Sequence, residues 1–352
     1  MSNIRKRLMM GGEVPPLYPD NYKDDGWIWA YYEVTSTTEP TALVYNGNSV
    51  ISYIQSDMII DGVTVSKTQS YTFSTTGEHL VKMKATSAGL RTSVFNSIPR
   101  IKRVYFPNTI TSLGESTFYS AANLTHVWLP NTITSIGNRS FESCTSLRVI
   151  NIENTKITSV AGSNNYGVFH GCTSLTKISL PTTVTTIGTR AFQGCTALQK
   201  INLSDLISLT SIGGSSFNNV PMPIIWKASA AFTSITNQAF QGSGILEVDL
   251  GDAQLTTISG SNNYGSFSSC SNLRKVTLPQ VLTTLAQRAF YQCYALQTVI
   301  CKATTPPTIS SQSLPGTSYV QHIYVPAASV ETYKAASGWS SYASIIEAIP
   351  TT

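Results

Sequence analysis

Charged side chains are scarce in this 352-residue sequence, in which Asp, Glu, Lys and Arg together make up 12% of the residues. That share is roughly half of what soluble proteins usually carry. The formal net charge of +5 is small for this length and is not concentrated in one long run. Neither nucleic acid nor an anionic membrane is therefore predicted as the main partner. The hydrophobic share of 41% is ordinary, which predicts a folded chain rather than a disordered one.

Long apolar segments are also missing. No stretch approaches the roughly 18 consecutive apolar residues that a membrane-spanning helix needs, so no membrane insertion is expected. Near the start, Arg5, Lys6 and Arg7 form a basic cluster, and only Leu8 to Met10 follow before Gly11. A signal peptide needs a longer apolar core, so we expect no export by that route unless a leader has been removed.

Motifs for catalysis and for metal or cofactor binding are absent as well. The six cysteines include no CxxC pair and no Cys/His spacing typical of a zinc site. The four histidines lie at unrelated positions, without Ser/Asp or Cys/Asn partners at the spacing of a known enzyme family. No Walker-type phosphate loop is present. The sequence therefore predicts a non-enzymatic protein without a metal or cofactor.

What the sequence does contain is an internal repeat of roughly 23 residues. Three aligned copies, starting at Leu124, Leu175 and Leu273, read LTHVWLPNTITSIGNRSFESCTS, LTKISLPTTVTTIGTRAFQGCTA and LRKVTLPQVLTTLAQRAFYQCYA. Further copies begin at Ile101, Leu147, Leu198, Pro223 and Ile245, and a truncated copy begins at Leu296. The first, fourth and sixth residues of each copy are predicted to point inwards from a short strand. Because one coil cannot bury them alone, about eight or nine stacked coils are expected.

Each copy also carries an aromatic residue that is predicted to stack on its equivalents. These residues are Phe118, Phe141, Phe169, Phe192, Phe217, Phe240, Phe267 and Phe290. Three residues after the aromatic comes a small residue, which is a cysteine at Cys144, Cys172, Cys195, Cys270 and Cys293. Other copies carry Ala121, Val220 or Ser243 there, and a position that accepts such residues is a small, buried packing site. The cysteines are therefore predicted to be buried free thiols.

The repeat resembles the BspA-like, bacterial surface-antigen type of leucine-rich repeat, which is marked by L-x-x-I-x-L-P followed by I-G-x-x-A-F-x-G-C. The resemblance extends over residues 101–303 and implies a leucine-rich-repeat solenoid, mainly β with short helical segments. It also implies surface display and the binding of proteins, glycans or cells, without enzymatic activity. Because the motif residues are core residues, the resemblance transfers no binding site to this chain.

Four segments are predicted: an N-terminal arm (1–25), a small β-sandwich-like domain (26–98), the solenoid (99–303) and a C-terminal cap (304–352). The second segment alternates as five or six strands, with a hairpin turn at Asp61-Gly62. The cap is expected to close the open core with Tyr333, Trp339, Tyr342 and Ile345. The arm is either a disordered tail or an anchor that orders on a partner, and Arg5, Lys6 and Arg7 are its candidate anchoring residues.

Two units are longer than the rest because both carry the insertion GSNNYG, at 162–167 and 260–265. Insertions in solenoids form loops on one side, often the binding side, and Tyr and Asn suit recognition. The candidate ligand-binding residues here are Asn164, Asn165, Tyr166, Asn262, Asn263 and Tyr264. Duplication of a four-coil block explains the identical loops equally well without any binding role.

A row of basic residues near the start of each strand is the second candidate binding feature. The row consists of Lys102 and Arg103, Arg148, Lys177, Lys200, and Arg274 with Lys275, and it is interrupted by the copy with Glu247 and by the copy with Ile224 and Ile225. Stacked coils would bring these cations onto one stripe, which suits acidic glycans or an acidic protein. The alternative is ordinary surface charge, which also blocks strand-to-strand aggregation.

Two main functions remain open from the sequence, beside a third, a cytoplasmic scaffold that binds protein partners. The first is a bacteriophage virion appendage of the head or tail fibre type. Its arm and β domain would contact other virion proteins, and its solenoid would contact a host surface protein or glycan. The alternative is a secreted or cell-surface bacterial adhesin. The missing signal peptide and the order of anchor before binder favour the first, and homo-oligomerisation is compatible with either.

Overall fold

The computed structural model describes residues 22, 24–47, 50–163, 165–310 and 312–350, apart from the side chain of Ser56. The front of the described chain is built from short strands. These are β1 (Ile28–Val34), β2 (Thr41–Ala42), β3 (Ile54–Ile60), β4 (Val63–Ser66), β5 (Ser70–Tyr71), β6 (Gly77–Ala85) and β7 (Gly89–Leu90). Within the described residues, helices are few and short: 3-10 turns at Val50–Tyr53, Ile152–Asn154, Leu203–Asp205, Ala327–Ser329 and Trp339–Ile345, and one α-helix, α1 (Val330–Ala335).

The predicted hairpin joins β3 to β4. Asp61 and Gly62 have φ angles of 49° and 86°, and Ile60 lies opposite Val63. Two successive positive φ values match the right-handed twist of the flanking strands, which is why Asp-Gly is favoured here. The hairpin prediction is confirmed.

Each solenoid coil contributes one strand to a parallel row, called the main row. It consists of β8 (Ile101–Tyr105), β10 (His126–Trp128), β12 (Val149–Ile150), β14 (Lys177–Ile178), β16 (Lys200–Ile201), β18 (Ile225–Lys227), β20 (Glu247–Asp249), β22 (Lys275–Leu278), β24 (Thr298–Cys301), β26 (His322–Val325) and β27 (Ile346–Ala348). The solenoid has about 11 turns, more than the eight or nine expected, because the end coils lack the full motif. The predicted fold class, a mainly β leucine-rich-repeat solenoid, is confirmed.

A second row of two-residue strands lies further along each coil. Its members are β9 (Ser112–Leu113), β11 (Ser135–Ile136), β13 (Ser159–Val160), β15 (Thr186–Ile187), β17 (Ser211–Ile212), β19 (Ser234–Ile235), β21 (Thr257–Ile258), β23 (Thr284–Leu285) and β25 (Thr308–Ile309). The last residue of most of these strands is a buried aliphatic, such as Ile136 and Ile187. β7 pairs with β9 and so begins this row.

The aromatic residues form a continuous ladder through the core. Nine rings stack with centroids 5.1–5.5 Å apart and interplanar angles of 4–18°: Phe95, Phe118, Phe141, Phe169, Phe192, Phe217, Phe240, Phe267 and Phe290. The eight predicted members are confirmed. Phe95 adds a ninth, because a first coil precedes the copy at Ile101.

Residues in the left-handed region flank many of these phenylalanines two positions away on either side. Around Phe192, Arg190 has φ 56° and Gly194 has φ 74°. The N–H groups of Arg190, Phe192 and Gly194 donate to Gly214, Ser216 and Asn218 of the next coil at 2.9, 2.9 and 3.4 Å. The strained backbone is stabilised because it aims three successive donors at the neighbouring coil.

All six cysteines are free and buried, as predicted for five of them from the repeat. The Sγ of Cys195 donates to the carbonyl of Phe169 at 3.1 Å, and Cys144 makes the same bond to Phe118. Burial raises the pKa of the Cys195 thiol to about 12. The thiol of Cys195 is therefore a neutral packing group at ordinary pH.

The front strands continue the sheet of the solenoid. The seven-stranded sheet has the order β12-β10-β8-β1-β6-β3-β4, in which Ala30 of β1 faces Val104 on one side and Val81 on the other. Strands from the predicted small β domain, residues 26–98, and from the first coils of the solenoid therefore belong to one sheet. The edge of β8 would otherwise be unpaired, and β1 covers it in the antiparallel sense. The predicted boundary between residues 98 and 99 falls just after Phe95, which already belongs to the ladder.

The opposite end of the core is closed by aromatic residues. Tyr333 and Trp339 are fully buried, Tyr342 is nearly so, and Ile345 packs against them as predicted. The hydroxyl of Tyr333 donates to the carbonyl of Ala303 at 2.8 Å, and Trp339 Nε1 donates to Pro307 at 2.8 Å. The buried polar atoms of Tyr333 and Trp339 therefore have partners in the last coils.

Candidate functional site

The two GSNNYG insertions are short hairpins that lean on the following coil. Gly162 bridges to Gly167, and Ser163 and Tyr166 exchange backbone hydrogen bonds of 2.7 and 3.3 Å. A Cβ at Gly162 would overlap the carbonyl oxygen of Thr189, so this position accepts glycine alone without a backbone shift. The second hairpin repeats this geometry with a bridge between Gly260 and Gly265.

The tyrosine of the first hairpin is held by neighbouring coils. The guanidinium of Arg139 lies 3.9 Å from the ring centroid of Tyr166 and 4.2 Å from that of Tyr119, so it contacts both rings. Arg139 Nε also donates to Glu142 at 2.9 Å. Such a contact stabilises by about 0.5–1 kcal/mol at exposed sites. Tyr166 is therefore engaged within the protein itself.

The second hairpin is more open although its sequence is identical. The preceding coil carries Gln238 at the position of Arg139, two residues before the phenylalanine, so Tyr264 has no cation there. Tyr264 is 42% exposed. Arg288 from the following coil donates instead to the carbonyl of Asn263 at 3.1 Å. Asn262 and Asn263 are exposed, as is Asn165 of the first hairpin, whereas Asn164 lies outside the described residues.

The predicted basic stripe divides into two neighbouring register rows. Lys177 lies opposite Lys200 in adjacent strands, and Lys275 occupies the same strand position further on. Arg148 and Arg274 lie one residue earlier in their coils, on the row that begins with Lys102. At this same strand position, Glu247 lies in the strand before that of Lys275, and Ile225 lies in the strand before that of Glu247. The stripe is therefore strongest over β12, β14 and β16.

The cations of the stripe differ in whether they have acidic partners. Lys102 pairs with Glu33 at 3.1 Å, and Arg103 pairs with Glu78. Further along the main row, Lys227 and Lys302 share Asp252. By contrast, no ion pair with another described residue is formed by the exposed side chains of Arg148, Lys177, Lys200, Arg274 and Lys275.

Two of these cations, Arg103 and Arg148, affect the pKa of His126. Partial burial lowers the pKa of His126, and the positive charges of Arg103 and Arg148 lower it further. The imidazole stacks on Trp128 with ring centroids 5.3 Å apart. The two arginines therefore disfavour the charged form of His126.

An aromatic cluster on the outer face of the sheet was missed in the sequence. It consists of Trp29, Tyr31, Tyr105 and Trp128, each at most 9% exposed. Tyr22, at the end of the predicted arm, stacks on Tyr105 at 5.5 Å, and its hydroxyl donates to Phe106. The sequence signal for this cluster was an aromatic residue at the fifth position of the repeat, which points outwards, in two successive copies. The cluster is a second small core, and the candidate anchoring residues Arg5, Lys6 and Arg7 lie outside the described residues.

Within the described ranges, no three His, Cys, Asp or Glu side chains converge to hold a metal ion. In the same ranges, no helix has the length and apolar character required to span a bilayer.

Comparisons with known proteins agree with the architecture. The model of the BspA type leucine-rich-repeat region matches residues 55–165, 163–262 and 233–338, in six copies. These matches cover most of the sequence, and the chain belongs to the BspA-type leucine-rich-repeat family. No curated protein matches the sequence.

Several solved structures are similar in fold. One is a leucine-rich cell surface protein from Faecalibacterium prausnitzii, with 18% identity and a TM-score of 0.42, covering 76% of this chain and 88% of that one. Another is a leucine-rich-repeat protein from Bacteroides ovatus, with 16% identity, a TM-score of 0.38 and the same two coverages. The pneumococcal vaccine antigen PcpA has 14% identity and a TM-score of 0.43, covering 70% of this chain and 66% of that one.

Proposed function

We propose that this protein is a non-enzymatic binding module displayed on a bacterial cell surface, as an adhesin is. We further propose that it binds an acidic macromolecule through the basic patch, defined as Arg148, Lys177 and Lys200. Membership of the BspA-type family supports surface display, because the family resemblance implies that role. The positive charge of the basic patch supports the choice of an acidic ligand.

The observation that carries the proposal is the register of Lys177 and Lys200. Lys177 and Lys200 occupy the same position of adjacent strands, which lie about 4.8 Å apart, and neither lysine has an acidic partner among the described residues. Like charges placed directly opposite destabilise a sheet. An acidic ligand that spans both side chains would relieve this repulsion, and Arg148 adds a third cation on the neighbouring coil.

A binding experiment with matched charge loss tests the patch. The probe is poly-glutamate immobilised on a biosensor, and the test variant carries Arg148→Ala, Lys177→Ala and Lys200→Ala. The control removes three other cations, Lys156, Lys302 and Lys334. We expect the patch variant to lose about tenfold in affinity and the control much less, with binding of the parent falling as salt rises. Equal losses in both variants, or no binding by the parent, would overturn the proposal.

Location is tested separately. Antibodies to this chain should label intact cells of the source bacterium, and mass spectrometry of phage particles from the same culture should not detect it. Detection in purified particles and not on cells would instead support the virion appendage expected from the sequence. The comparisons lend that function no support, since they identify only the repeat family.

A further inference from the structure

Two exposed tyrosines lie side by side where the last coils begin their strands. Tyr294 is 52% exposed and Tyr319 is 41% exposed, and their ring centroids are 4.8 Å apart with an interplanar angle of 36°. They belong to adjacent coils and lie four residues before β24 and three residues before β26, respectively. Aromatic rings in contact with each other and open to solvent on one side form a ready-made contact surface.

Both tyrosines replace small residues of the repeat. At the position of Tyr294, directly after the small buried residue, earlier coils carry Thr145 and Thr173. Thr173 Oγ1 donates to the carbonyl of Thr145 at 3.2 Å, and Thr145 Oγ1 donates to the carbonyl of Ala122 at 3.4 Å. The small hydroxyl at this position therefore links successive coils. A tyrosine at this position lacks the small hydroxyl next to the backbone and exposes a large ring to solvent instead.

Tyr319 stands one residue before the inward Val320, where earlier coils carry Ser146, Ser174 or Ala197. Neither tyrosine belongs to the buried core. Burial in the core of the coil therefore does not explain them.

The polar surroundings of the pair point to the class of ligand. The backbone N–H of Gln297 donates to the carbonyl of Arg274 at 3.0 Å, and that of Gln321 donates to Gln297 at 2.9 Å, so the three residues form one register row. Gln297 follows Tyr294 by three residues in its coil, and Gln321 follows Tyr319 by two. All three are exposed. A glutamine amide both donates and accepts hydrogen bonds, which is what the hydroxyl groups of a sugar require.

We propose that Tyr294 and Tyr319 form a carbohydrate-binding site. A sugar ring packs on the tyrosine rings, and the side chains of Gln297 and Gln321 bind its hydroxyl groups. A proline-rich peptide fits less well, since its carbonyls only accept and would leave the amide oxygens unused. A quaternary ammonium ligand is disfavoured by the positive charges of Arg274 and Lys275.

This site is distinct from the basic patch. It lies four coils from β16, about 20 Å along the stack. It shares no residue with the patch, so each site can fail without the other.

The test uses the full chain on a printed panel of bacterial and host oligosaccharides, with proline-rich peptides on the same surface. The main variant restores repeat residues, Tyr294→Thr with Tyr319→Ser, which the coil geometry accommodates elsewhere. A second variant, Gln297→Ala with Gln321→Ala, leaves the rings in place. Tyr264→Ser removes an equally exposed tyrosine as a control, and the basic-patch variant serves as a second control.

We expect retention of at least one glycan by the parent, and loss of about tenfold in affinity in both the tyrosine and the glutamine variants. The Tyr264 and basic-patch controls should keep the glycan, and both test variants should still bind poly-glutamate. Lack of any glycan binding would overturn the proposal. So would preferential binding of proline-rich peptides, unchanged binding in the tyrosine variant, or a dimer in sedimentation that the tyrosine variant abolishes.

Discussion

At the scale of single residues, each interior phenylalanine of the ladder contacts a ring in the coil before and a ring in the coil after. Phe192 lies 5.3 Å from both Phe169 and Phe217 and is fully buried. Its loss would leave a cavity between two coils whose backbones are fixed by inter-coil hydrogen bonds. The neighbours can therefore collapse only partly into the space.

We expect Phe192→Ala to lower the free energy of unfolding by about 3–5 kcal/mol. Phe192→Leu should cost less because it keeps most of the apolar volume. Urea denaturation followed by circular dichroism measures both values. An unchanged midpoint for Phe192→Ala would contradict the stacked ladder.

Glycine at the base of the first hairpin is fixed by close approach to the next coil. Gly162→Ala should destabilise the protein by about 1–3 kcal/mol, because the new methyl group overlaps the carbonyl of Thr189. Gly316→Ala is the matched control, since nothing lies within 4 Å of a Cβ there. The melting temperatures of the two variants are compared in one experiment. A loss of stability in Gly162→Ala alone would show that the overlap with Thr189, and not the loss of a glycine as such, is the cause.

The buried thiols give the stability a pH dependence in alkali. Burial raises the pKa of Cys195 from its ordinary value of 9.0 to about 12, so the folded state holds this proton more tightly than the unfolded state. The stabilising effect is complete below pH 9 and is lost as the pH rises from 9 towards 12, where the unfolded chain ionises first. Cys195→Ala should therefore weaken the dependence of unfolding free energy on pH in this range. Parallel curves for parent and variant would contradict the assignment.

Residue patterns in the sequence predicted the core but not the backbone that carries it. Repetition of Phe and of a small residue three positions later identified the ladder and the buried thiols. The left-handed conformation of Arg139, Arg190 and Arg288 was not predictable, because glycine is the usual signal for positive φ. In the case of Arg190 a hydrogen bond to Gly214 of the next coil stabilises that conformation, and this bond becomes visible only when the coils are stacked.

At the scale of elements, the two GSNNYG hairpins show that identical sequence does not give identical surroundings. The hairpin geometry itself is the same in both copies. The difference arises from the coil that precedes each hairpin. The coil before the first hairpin carries Arg139, which contacts Tyr166, whereas the coil before the second carries Gln238 at that position. The sequence identified both loops, but their inequality depends on residues 23 or more positions away in the chain.

We expect tetranitromethane to nitrate Tyr264 faster than Tyr166 in the folded protein, because only Tyr166 is covered by Arg139. Arg139→Ala should raise the rate at Tyr166 severalfold and leave Tyr264 unchanged. Peptide mapping after timed reaction measures both rates in one sample. Equal rates in the parent would show that the cation does not shield the first hairpin.

The basic stripe illustrates another limit of sequence reasoning at this scale. Counting along the repeat placed the cations near one another, as found for Lys177 and Lys200. It did not reveal that Lys102 and Arg103 are paired with Glu33 and Glu78. Those acids belong to β1 and β6, and only the antiparallel docking of the front strands on β8 brings them to the stripe.

At the scale of the whole molecule, one apolar core runs from the front strands to the cap. Ile28 and Met83 of the front sheet belong to the same cluster of buried side chains as Phe192 and Trp339. A separate domain would have its own core and a boundary crossed by few contacts. Here the front sheet instead closes one end of the solenoid, and the aromatic cap closes the other.

This continuity predicts how the protein unfolds. Ala30 is paired on both sides of β1, so Ala30→Pro removes ladder hydrogen bonds between the front strands and the first coil. In scanning calorimetry we expect the parent to show a single transition, and Ala30→Pro to lower the temperature of that transition as a whole. A repeat array transmits such a change because each coil is stabilised mainly by its neighbours. Two separate transitions in the parent, with only the first shifted by Ala30→Pro, would instead indicate that residues 26–98 fold independently.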